Sequence, residues 1–186
     1  MTCWNRTAAN EQTSCVAALE DMITQAPVFH VGTYGDEIHE MSEMAAVDFG
    51  QYAHSNQPVH AFLYMFAMAG RRDRTQYWAH RVMNELYTPD NFPGDEDTGS
   101  MSAWYILSAL GIYSLCPGKP EWALGAPLFE EAEIRFPDGH AIHIEAQSSK
   151  PGAFLNHVTL NGAEVREPMV PHEAFLKDAR LVFSAV

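Results

Sequence analysis

Cysteine is scarce in this 186-residue chain: Cys3, Cys15 and Cys116 are the only three. An odd number without a CxxC pair builds neither a disulfide framework nor a zinc site. The expected role is that of small buried hydrophobes. Positive charge is scarce too. Eleven Lys and Arg stand against 24 Asp and Glu, a formal charge of −13. Such a chain repels phosphate backbones and anionic lipid, which argues against nucleic-acid and membrane-surface roles. No apolar run reaches the roughly 18 residues of a membrane span. The first ten residues, MTCWNRTAAN, contain no apolar h-region, so no signal peptide is visible. What the chain does have is a core: 47% of its residues are hydrophobic and 19% charged. The length suits one domain or two small ones.

The pattern changes near residue 112. Before it, apolar residues recur at helical spacing. Val16, Leu19, Met22 and Ile23 make one face of a helix over 11–25, and 36–48 reads as a second. Pro58 suits the first turn of a third, running to Gly70. Asp73 is placed to cap a fourth that stops before Pro89, and Ser100 a fifth that ends at Gly111. The third and fifth are apolar nearly all round, as buried helices are. After Gly111 the signals are those of short antiparallel strands. Asp138-Gly139 and Asn161-Gly162 each sit between β-type runs and predict two hairpins, and 181–185 reads as a last strand. The expected class is α+β, with a helical segment over 1–111 and an antiparallel β segment over 112–186. Neither half looks self-sufficient, which suggests a piece of a larger protein.

Three stretches could carry chemistry. Pro93-Gly94-Asp95-Glu96-Asp97-Thr98-Gly99-Ser100 puts three carboxylates in a glycine-bracketed loop before a buried helix. In extended backbone Asp95 and Asp97 point the same way, about 7 Å apart, and such a pair can hold a water and take its proton. A solvated turn with helix-capping acids would use the same residues. An EF-hand does not fit, because the 12-residue loop with its terminal Glu is absent. His54-Ser55-Asn56-Gln57-Pro58-Val59-His60 gathers donors and acceptors suited to a hydroxyl-rich ligand, or to ordinary capping. Glu37-Ile38-His39-Glu40-Met41-Ser42-Glu43 approaches the HExxH zinc motif but has Glu at the final position, and a solvated helix face accounts for it.

The run from Pro93 to Tyr105, followed by Leu107–Tyr113 and Cys116-Pro117-Gly118, closely resembles glycoside hydrolase family 92, whose form there is PGN(E/D)D-x-GQMSAWY, SALGFYP and PG. Asn56-Gln57-Pro58-Val59-His60, Tyr64 and Ala69-Gly70 are similar to its GNEP-S-HH-x-x-YLY-x-x-AG. Gly125-Ala126-Pro127-Leu128-Phe129, Leu160-Asn161-Gly162 and Pro171-His172-Glu173 resemble its later segments. The resemblance runs from about Phe29 to the C-terminus. It implies a calcium-dependent, exo-acting, inverting α-mannosidase of secreted or periplasmic origin, acting on mannose-containing glycans. The fold it implies is a β-sandwich followed by an (α/α)6 barrel, of which this chain supplies the last helices and a C-terminal β segment.

By the same resemblance Asp97 is the general base, Asp95 supports it, and Asn56 and Gln57 contact the sugar or the leaving group. The calcium ligands cannot be assigned by residue. The general acid belongs to a segment upstream of this chain, so the N-terminal part of the parent protein is expected to be missing here. Gln57 stands where members cleaving α-1,2 linkages have Glu, which leaves mannose-phosphate linkages open as substrates. The alternative is a non-catalytic carbohydrate-binding or structural remnant that lacks the acid.

Overall fold

The computed structural model describes residues 9–148 and 152–185. Cys3, Trp4 and Asn5 lie outside them. Five α-helices come first: α1 (Ala9–Thr24), α2 (His39–Ala46), α3 (Phe62–Met68), α4 (Arg72–Glu85) and α5 (Ser100–Ala109). The expected second helix is shortened at both ends. The expected third splits, because Pro58 enters as the first turn of a 3-10 helix, Gln57–Ala61, that runs into α3. Asp73 is not the cap of α4. Arg71 holds that position, and Asp73 sits in the first turn, paired with the Arg71 guanidinium at 2.6 Å. Such an acid still complements the positive helix end.

The strands are β1 (Ile112–Tyr113), β2 (Glu121–Leu124), β3 (Glu131–Arg135), β4 (Ala141–Gln147), β5 (His157–Leu160), β6 (Ala163–Glu164), β7 (Met169–Pro171) and β8 (Ala179–Ser184). They form a three-stranded sheet, β1-β2-β7, and a five-stranded sheet, β3-β4-β8-β5-β6. Both expected hairpins are present, as β3–β4 and β5–β6. Asn161 and Gly162 both have positive φ, 52° and 81°, which the two-residue turn demands. The expectation of wholly antiparallel strands is corrected at β4 and β8, which pair in parallel from Ile142–Ala179 to Gln147–Ser184. The long connection between them gives the chain room to return in the same direction.

Two cores lie side by side. The helical one gathers Leu19, Ile23, Phe49, Tyr52, Leu63, Phe66, Trp78, Val82 and Trp104. The sheet core gathers Leu124, Ile142, Ile144, Val158, Leu181 and Phe183, with Leu107 and Leu110 of α5 packed against it. Polar bonds join the two. Gln76 of α4 donates to the Ala153 carbonyl and accepts from the Leu155 amide, both at 3.0 Å. His80 meets the Ala126 carbonyl at 3.0 Å. Cys116 is exposed and Cys15 half-buried, so neither is the buried hydrophobe expected.

Candidate active site

The acidic loop leads directly into α5. Gly94 has φ 154°, and a Cβ there would stand 2.4 Å from the Ser55 Cβ, so the loop passes hard against the 54–57 segment. No side chain larger than glycine allows that approach. Thr98 (φ 52°) and Gly99 (φ 85°) then turn the chain into the helix. Gly99 is the N-cap, and Ser100 is already inside α5. The capping side chain comes from Glu96. Its two oxygens accept the backbone N–H groups of Met101 and Ser102, each at 2.9 Å. Burial pushes the Glu96 carboxyl up, but the amides of Ser102 and Met101 and the Ser102 hydroxyl outweigh it and hold it below the ordinary range. The middle carboxylate therefore caps α5, as the capping reading expects of one of the three acids.

Asp95 and Asp97 are exposed. The Asp97 carbonyl accepts the Ser100 N–H at 2.9 Å, and the Asp95 carbonyl accepts Gln57 Nε2 at 3.0 Å. The structure thus brings Gln57, half-buried, to the loop that carries Asp95 and Asp97. Asn56 is the exposed N-cap of the neighbouring 3-10 helix. The rest of that polar stretch is not a ligand surface. His54 and His60 are each 1% exposed and Ser55 is 6% exposed. His54 lies between the hydroxyls of Tyr52 and Tyr87, at 2.8 and 2.9 Å. His60 Nε2 meets the His54 carbonyl at 3.0 Å, and Trp104 Nε1 donates to the His60 carbonyl at 3.2 Å. These side chains support the site from beneath. Most of these buried polar atoms find partners, because leaving one bare costs roughly 1–3 kcal/mol; Ser55 Oγ and His60 Nδ1 are buried without one.

α2 reaches the same loop, a placement that its spacing did not reveal. The Glu43 Oε2 stands 3.4 Å from the position of a Gly94 Cβ and has no partner, although it is buried. His39 Nδ1 meets Glu43 Oε1 at 3.3 Å. The Glu43 bond, with Glu40 and Asp95 nearby, raises the His39 pKa. The segment dismissed as a solvated face thus borders the loop. A cavity of about 650 Å³ lies elsewhere, among Met68, Arg72, Asp73, Phe154 and Arg166. Asp95 and Asp97 stand on an open rim, not in that cavity.

Calcium takes six to eight oxygen ligands. Among the described residues, no group of three or more His, Cys, Asp or Glu side chains is close enough to share one ion. A bound calcium would need carbonyl oxygens, water or groups beyond the described residues to complete its shell. No helix among the described residues is long and apolar enough to cross a membrane.

Comparison with known proteins bears on this arrangement. The pattern of the glycosyl hydrolase family 92 catalytic domain matches residues 8–185. A family 92 inverting mannosidase from Bacteroides thetaiotaomicron is 37% identical over 93% of this chain, with a TM-score of 0.73. A family 92 α-mannosidase from the same organism, solved with mannoimidazole, is 26% identical over 73% of this chain, with a TM-score of 0.68. The chain spans 24% of the first protein and 18% of the second. No curated protein matches it.

Proposed function

The chain belongs to glycosyl hydrolase family 92, and from that premise we propose that it carries the base side of an α-mannosidase site working with inversion. Asp97 takes a proton from water, whose oxygen attacks the anomeric carbon. Asp95 orients that water, and Asn56 and Gln57 meet the hydroxyls of the sugar or of the leaving group. Inversion requires a carboxylic acid across the scissile bond, about 6.5–9.5 Å from the base, to protonate the departing oxygen. We read the acid as supplied from outside the described residues. The five helices are read as part of an (α/α)6 barrel over 1–111, followed by a β segment over 112–186.

One observation carries the proposal. In a loop of three exposed carboxylates the middle one binds the α5 amides, and Asp95 and Asp97 flank it, with Gln57 bonded to the Asp95 carbonyl. The matching Bacteroides protein is described as an inverting mannosidase, which supports the same chemistry here. The test is Asp97→Asn in the whole gene product that contains these residues. Loss of a general base lowers turnover roughly 10²–10⁴-fold, read as release of the aryl group from an aryl α-mannoside. Unchanged turnover would rule out Asp97 as the base. Mannose binding without turnover in the wild type would favour the non-catalytic reading, which the open rim around Asp95 and Asp97 also accommodates.

A further inference from the structure

We infer that Glu96 and Gln57 are positioning residues that clamp the acidic loop from two sides and so set where Asp95 and Asp97 stand. The inference deepens the reading of Asp97 as base and rests on it. Residues 95–97 form no helical turn. Glu96 turns toward α5, where its oxygens hold the Met101 and Ser102 amides at 2.9 Å. Asp95 and Asp97 flank it in the chain and are exposed. The chain on each flank is also held. Gln57 donates Nε2 to the Asp95 carbonyl at 3.0 Å, and the Ser100 N–H binds the Asp97 carbonyl at 2.9 Å.

Each clamp depends on a particular functional group. Two oxygens on one side chain satisfy two of the four orphan donors at the start of α5. An alanine at 96 would leave those amides to water and free the loop. At 57 the donor must be an amide, because an ionised Glu has no N–H to give a carbonyl oxygen. The family pattern places Glu where Gln57 stands, so this chain ties its base loop by a bond that the pattern residue cannot make. Gln57 therefore has a positional role in addition to any contact with the sugar.

The experiment uses the whole gene product with Glu96→Ala, Glu96→Gln, Gln57→Glu, the Glu96→Ala/Gln57→Glu double variant and Asp97→Asn. A misplacement of about 1 Å at a reacting group costs up to roughly 100-fold in rate. We expect Glu96→Ala to lower kcat about 10- to 100-fold while KM stays within about threefold. Glu96→Gln keeps one acceptor oxygen and should recover part of that loss. Gln57→Glu should lower kcat as well. The double variant should lose less than the product of the single effects, because both residues hold one loop. Amide hydrogen exchange supplies a readout without turnover: Glu96→Ala should speed exchange at Met101 and Ser102. Unchanged exchange there overturns the clamp. So does a lowered melting temperature with kcat per folded molecule unaltered. Wild-type turnover in Asp97→Asn would instead remove the base assignment, and the clamp's purpose with it. An inactive Asp97→Asn beside a fully active Glu96→Ala removes the clamp alone.

Discussion

His54 is 1% exposed, with one tyrosine hydroxyl on each ring nitrogen. The Tyr87 hydroxyl donates onward to the Met101 carbonyl at 3.2 Å. It must therefore accept from His54 Nε2–H, which leaves Nδ1 to accept from Tyr52. That assigns the neutral Nε2–H tautomer from the bonding pattern. Burial lowers the His54 pKa well below the ordinary value of 6.5, and neighbouring His60 lowers it further. His60 and His80 are also lowered, in each case chiefly by burial. The unfolded chain takes up protons on these groups near pH 6.5, where the folded one does not. Stability is therefore full above that value and falls as pH drops below it, until the lowered folded-state pKa of each group is reached. Melting temperatures should decline between pH 7 and pH 5, and His54→Phe should flatten the decline. An equally steep decline in His54→Phe would show that His54 is not among the groups responsible.

At the scale of an element, α5 joins the site to both cores. Trp104 is 1% exposed, packs against His54 at 4.4 Å between centroids, and donates to the His60 carbonyl. On the other side Leu107 and Leu110 meet the sheet core. Trp104→Ala should cost about 3–5 kcal/mol, the usual range for deleting a buried aromatic, measured by urea denaturation. Gly94, just upstream, makes a different demand. Its Cβ position is occupied by Ser55, so Gly94→Ala must move the loop or the 54–57 segment. We expect a stability loss of roughly 1–3 kcal/mol and, because the displaced loop carries Asp97, a lower kcat. An alanine variant with wild-type stability and kcat would mean that the contact at Ser55 is soft. The loop's acidity and the helix after it were legible in the residues. That Glu96, not Ser100, caps α5 was not, because the cap reaches back across a turn at positive φ.

Over the whole molecule the net charge is −13, and the site shares it. Asp95, Glu96 and Asp97 lie on one rim, with Glu40 and Glu43 on the bordering helix. A phosphate beside these carboxylates would meet like charge, which costs binding and slows encounter. On the proposed reading this repulsion works against the neutrality of Gln57, and an uncharged α-mannoside is the expected better substrate. The whole gene product should show higher kcat/KM for an aryl α-mannoside than for a mannose-phosphodiester. The gap should narrow as salt rises, since screening weakens interactions between exposed charges. A preference for the phosphodiester would restore the reading in which Gln57 admits an anion.

The linear pattern by itself determined that five helices precede a set of short strands, that Asp-Gly and Asn-Gly make hairpins, and that the acidic loop opens a helix, which is buried on one face and not all round as expected, with Ile106 58% exposed. These are local matters of period, turn residue and flanking glycine. They need no knowledge of what lies across the chain. Tertiary structure decided the rest. It sent His54, Ser55 and His60 inward and left Asn56 and Gln57 at the loop. It gave one of three exposed carboxylates, Glu96, to the α5 amides. It brought α2 to the loop and paired β4 with β8 in parallel. Most of these turn on a contact between residues far apart in the chain; the Glu96 cap turns on how the loop bends back over five or six residues. Burial and hydrogen bonding settle such choices jointly once the chain has closed on itself.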